Sequence, residues 1–146
     1  MPSKTSHLIQ SFFNTLVQDI KSYQKLEILL KQQKALYLHF DADQLESNIA
    51  QQQPLLVLLR QNAHQRSQIM ATFQLKMDKQ GVERFFSALP PAAAEKIKSL
   101  WHQLETLIKH CQVLNQENGQ TSASFHELIV SLTRPQQHTY TEQPIG

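Results

Sequence analysis

Seven histidines, twelve Asp and Glu side chains and one cysteine are the groups of this 146-residue chain that could do chemistry. Zinc held on one helix face needs two ligands four residues apart, so that both side chains point at one ion. No pair of these histidines has that spacing, and His102 and His110 lie eight apart. Paired carboxylates could exchange protons, but Glu95, Glu105, Glu117 and Glu127 fall at positions that read as solvated. Cys111 has no second cysteine to bridge, and on an apolar helix face it reads as a small core side chain. A nucleophile elbow, a phosphate loop and a dinucleotide fingerprint all need clustered glycines, and the three glycines present do not cluster. The residues therefore argue against an enzyme, and neither a metal nor a cofactor is expected.

Charge points to no nucleic-acid partner. Fourteen Lys and Arg against twelve Asp and Glu leave a net of +2, too little for a concentrated basic surface. Lys21, Lys25, Lys31 and Lys34 cluster on the first helical stretch. No aromatic stacking pattern accompanies them, so they read as a solvated face. The segment from Leu8 to Val17 is interrupted by Gln10, Ser11, Asn14 and Thr15, an amphipathic pattern and not a signal-peptide core. The longest apolar run, Leu55 to Leu59, is far too short to span a bilayer. A cytoplasmic protein without stable membrane insertion is expected.

These groups must be positioned by helices. The chain carries 21 Gln and 20 Leu, both good helix formers, and its charged fraction is 18%, below the usual ~25%. Apolar residues recur at alternating steps of three and four, which keeps them on one side of a helix. The first series runs from Ile9 through Phe13, Leu16, Ile20, Tyr23, Leu26, Leu30, Gln33 and Tyr37 to Phe40. The second joins Leu45, Ile49, Gln52, Leu56, Leu59, Ala63, Arg66, Met70, Phe73 and Met77. The third joins Ile97, Trp101, Leu104, Ile108, Cys111, Asn115, Asn118, Ser122, Phe125, Ile129 and Leu132. The expected fold is all-α: an elongated, coiled-coil-like antiparallel bundle of three long helices at about 5–40, 42–79 and 91–132. One domain covers 1–132, and 133–146 form a mobile tail. Ser3, Thr5 or Ser6 could cap the first helix and Asp41 or Asp43 the second, with Gly81 as the second's C-cap. Pro54 should kink or interrupt that helix. Val82 to Leu89 form an apolar-rich connector, read as a short helix carrying Phe85 and Phe86.

The third series departs from its own pattern. Asn115, Asn118 and Ser122 hold successive seam positions, with Gly119 among them at a cost of about 1 kcal/mol. Two readings stand. The bundle frays there through a short capped turn, or the core ends near Leu114 and Phe125, Leu128, Ile129 and Leu132 form a stripe with no intramolecular partner. Each of those four side chains would contribute about 1.5–3 kcal/mol on burial. After the costs of association that suits binding near −8 kcal/mol, roughly micromolar. Arg66 is the other exception. Its stem packs while its head reaches solvent, or it forms a buried ion pair with Glu27 as the candidate partner.

Several of these residues also carry a resemblance. Leu26-x-x-Leu29-Leu30, then Ala35-Leu36 and Asp41, then Leu55-Leu56, Leu59 and Arg66 form the first half of a pattern. Trp101-x-x-Leu104, Cys111 and Leu114-Asn115-x-x-Asn118-Gly119 form the second. In these residues, over about 8–132, the chain resembles the FlgN family of flagellar export chaperones. It departs from the pattern at Gln32, at Gln52 and at Thr121 and Ser122, and Tyr140 is followed by Gly only at Gly146.

The resemblance implies a cytoplasmic chaperone of type III flagellar export. It would bind the C-terminal helices of the hook–filament junction proteins (hook-associated proteins 1 and 3), prevent their premature assembly and deliver them to the export gate. Carried over residue by residue, Leu114, Phe125, Leu128, Ile129 and Leu132 become the substrate-protein site. Trp101, Asn115, Asn118 and Gly119 are the family motif, and Tyr140 is the gate contact. The alternative is a homodimeric coiled-coil adaptor without an export role, burying the same stripe between two copies.

Overall fold

A computed structural model describes residues 3–133, apart from the side chains of Phe125 and of 127–133. The order is α1 (Lys4–Leu38), α2 (Ala42–Thr72), α3 (Lys79–Ala88) and α4 (Pro91–Thr133), and no strand is present among the described residues. Three helices are long, as the periodicity predicts. The connector forms the fourth, α3. The expected tail at 133–146 lies outside the described residues beyond Thr133 itself.

The caps come from the residues that suit them. Ser6 N–H donates to Ser3 Oγ at 3.1 Å, and Gln44 N–H donates to Asp41 Oδ1 at 3.1 Å. Pro91 opens α4, where its missing N–H costs nothing. Of the two outcomes expected at Pro54, a kink or an interruption, the second does not occur, and the expected end of α2 near residue 79 fails. The helix runs through Pro54 without interruption. Pro54 is exposed, and the turns either side of it are held: Asn48 and Gln52 bond to α1 before it, and Leu55, Leu56 and Leu59 pack after it. The helix also ends earlier, at Thr72. Gln74 takes a positive φ of 59°, Leu75 N–H bonds to Met70 O and Gln74 N–H to Ala71 O, a Schellman ending. Gly81 is no C-cap. It lies in the first turn of α3, where a Cβ would overlap the Lys76 carbonyl.

The long helices pack on α1, which contacts both α2 and α4. Leu29 pairs with Asn48 and Asp19 with Asn62, so α1 and α2 are antiparallel. Tyr23 meets Cys111 and Leu30 meets Asn118, each 88 residues apart, so α1 and α4 run parallel. The core is divided along this axis. A larger cluster joins Phe12, Leu16, Ile20, Ile69, Met70, Phe85, Phe86, Ile97 and Leu104. A second joins Leu26, Leu30, Leu59, Cys111 and Leu114. Phe12 stacks on Trp101 at 6.1 Å and tilts against Phe85 at 4.7 Å, so α3 closes one end of the bundle. No described helix is long and apolar enough to cross a membrane.

Candidate partner-binding site

Two polar layers interrupt the apolar core. The first is Asp19 on α1 with Arg66 and Asn62 on α2. Arg66 Nη1 lies 2.7 Å from Asp19 Oδ2, with side chains 7% and 1% exposed. The two are an ion pair at hydrogen-bonding distance, and Asn62 Nδ2 donates to Asp19 Oδ1 at 2.8 Å. Arg66 is therefore buried and does not reach solvent, and its partner is Asp19, not Glu27. Glu27 instead binds His110 across the α1–α4 seam at 2.9 Å and Lys31 at 3.3 Å. The His110 hydrogen bond is the main reason the Glu27 carboxyl sits below its usual range. Burial, then the Asp19 charge, pushes the nearby Tyr23 phenol up.

The second layer is built of amides and joins all three long helices. Asn118 Nδ2 on α4 donates to Leu30 O at 2.8 Å and to Gln33 Oε1 at 3.3 Å on α1. Gln52 Nε2 on α2 donates to the same Gln33 oxygen at 2.8 Å and to Asn48 Oδ1 at 2.9 Å. Asn48 Nδ2 closes the set on Leu29 O at 2.9 Å. Asn118 Oδ1 is buried with no partner. Outside this layer Lys34 Nζ reaches Glu117 Oε2 at 3.2 Å, half exposed.

The predicted site residues divide around this layer. Trp101 and Leu114 belong to the core: Trp101 packs at its edge, and Leu114 is buried beside Cys111 because α1 covers both. Leu114 is thus closed to a partner in this state. Asn118 is buried on α1, whereas Asn115 points to solvent although the spacing placed it on the seam. No capped turn forms at Asn118-Gly119, because α4 continues through both. The side chains of Phe125, Leu128, Ile129 and Leu132 lie outside what is described, and Tyr140 lies outside the described residues altogether. Their backbone setting is nonetheless clear for the first four. At a constant offset of 88, Leu38, the end of α1, stands level with residue 126. From there α4 runs on to Thr133, about two turns or roughly 10 Å past α1. The same end exposes Leu38 and Phe40.

Gln33, Asn48, Gln52, Asp19 and Asn62 are structural residues that the spacing did not single out as partners. Gln33 and Gln52 fall on seams of the series and carried a signal. Asn48, Asn62 and Asp19 sit one position off a stripe and carried none. At the opposite end an open groove of about 880 Å³ lies between α3 and α4, floored by Val82, Phe86 and Trp101 and rimmed by charges of both signs. Among the described residues no group of three His, Cys, Asp or Glu could hold a metal.

The family model described as FlgN protein matches residues 1–141. A solved structure titled as a flagella synthesis protein FlgN, from Pseudomonas aeruginosa, is similar with a TM-score of 0.69. The match is 21% identical and covers 92% of this chain and 100% of that one. A comparison with curated proteins finds no match.

Proposed function

The chain belongs to the FlgN family, and on that premise we propose that it is a non-catalytic chaperone of type III flagellar export, working in the cytoplasm. It binds the C-terminal helices of the hook–filament junction proteins, keeps them from assembling early and hands them to the export gate. The observation that supports this reading is the overhang: α4 outlasts α1 by about two turns. Leu128, Ile129 and Leu132 fall on that overhang with no α1 beside them, and Phe125 stands just short of it, level with Tyr37. An amphipathic helix from a partner could lie along Phe125, Leu128, Ile129 and Leu132 as helix-in-groove partners do. Leu114 would join only after α1 and α4 part. Tyr140 is the proposed gate contact.

The test is calorimetric titration of a junction protein's C-terminal helical segment into the full chain. Replacing both Phe125 and Ile129 by Ser should weaken binding at least ~100-fold, since each buried side chain contributes about 1.5–3 kcal/mol. Helicity should survive. Unchanged affinity in a folded double variant overturns the site.

A further inference from the structure

We propose that α4 is two elements in one: a helix anchored as far as Asn118, and a conditional arm beyond it that opens and re-forms about Gly119 without the core. The argument begins with what Gly119 does not do. No glycine of the described chain has a positive φ, and a Cβ added at Gly119 would meet nothing within 4 Å. Neither backbone conformation nor close packing calls for glycine there. Its one remaining physical effect is on the helix itself, which it weakens relative to alanine.

The surroundings agree. Asn118, the residue before it, is 3% exposed and is the last buried side chain described on α4. It is pinned to Leu30 O and Gln33 on α1. Past Gly119 come Thr121, Ser122 and Ser124, weaker helix formers, and Thr121 Oγ1 bonds back to Glu117 O at 2.9 Å. Thr121 and Ser122 are half-buried, while Gln120, Ala123, Ser124 and His126 are exposed. Beyond residue 126 the backbone has no α1 alongside. Those last two turns, 127–133, are too short to hold as a helix in water by themselves. The arm therefore persists by extension from the anchored turn, and extension must pass through glycine. The hinge follows from the fold alone and holds whatever the arm binds.

Amide hydrogen exchange of the full chain tests it, with Gly119→Ala and Ala123→Gly as opposed variants. In the wild type, amides of 121–132 should exchange at least ~100-fold faster than those of 100–114, the arm opening locally and the core only globally. Gly119→Ala should slow the arm about fivefold and Ala123→Gly should speed it by a similar factor, each leaving the core unchanged. An arm protected as strongly as the core in the wild type overturns the proposal. So does a Gly119→Ala variant whose arm exchanges at the wild-type rate, or one in which arm and core shift together.

Discussion

Asp19 and Arg66 face each other in a part of the bundle where water is excluded, and each makes the other tolerable. Removing one partner leaves an uncompensated buried charge, which costs about 3–5 kcal/mol. Asp19→Ala should lose that much stability in urea denaturation. The double variant Asp19→Leu with Arg66→Met should recover most of it, because an apolar pair of similar volume needs no compensation. A loss under ~1 kcal/mol for the single variant would contradict a buried pair. Arg66 was legible in the sequence because a cation on an apolar stripe breaks the pattern. Asp19 was not: it lies next to Ile20 on a charged-looking flank, and spacing along one helix carries no information about which residue of another helix it meets. Glu27 was the wrong partner for that reason.

Helices, at the scale of the element, declare their interiors more clearly than their ends. Steps of three and four located α1, α2 and α4, because one buried stripe forces that spacing along the length of each helix. The end of α2 was hidden because its left-handed residue is Gln74 and not glycine. Gly81 drew the boundary several residues too late, being required instead by the nearby Lys76 carbonyl. Phe40 ends α1 in the same way, with φ of 55° and Asp41 N–H bonded to Leu36 O. A non-glycine residue in this region costs about 1–2 kcal/mol. Part of that is offset by the larger entropy glycine loses on folding. Gln74→Gly should therefore stabilise the chain by about 0.5–1 kcal/mol, raising the melting temperature by roughly 2–3 °C. A lowered melting temperature would mean that the Gln74 side chain contributes more than its backbone strain costs.

Across the whole molecule the interior alternates: a large apolar cluster, an ionic layer, a smaller apolar cluster and an amide layer. Each polar layer fixes the register of the helices, since sliding one would leave buried amides or charges without partners. Stability is unequal along the axis, because the large cluster and its aromatic contacts lie at the α3 end. Trp101, the single tryptophan, reports only on that end. In urea, loss of helicity by circular dichroism should begin at lower concentration than the change in Trp101 emission. Coincident curves would show one cooperative unit instead. The all-helical architecture and its three long members were readable from composition and period. The layering was not, since it depends on which polar residues of separate helices meet.

The α1–α4 seam has one more consequence, for the chemistry of the chain in an oxidising or alkylating medium. Cys111 is 4% exposed, its thiol directed at the Tyr23 carbonyl 3.7 Å away. Burial, with the Glu27 charge adding, pushes its pKa up to about 11. The thiolate is the reactive form, and it is scarce at neutral pH behind a closed seam. The folded chain thus presents no cysteine nucleophile: this thiol neither cross-links to a second copy nor answers to the redox state around it until α1 and α4 part.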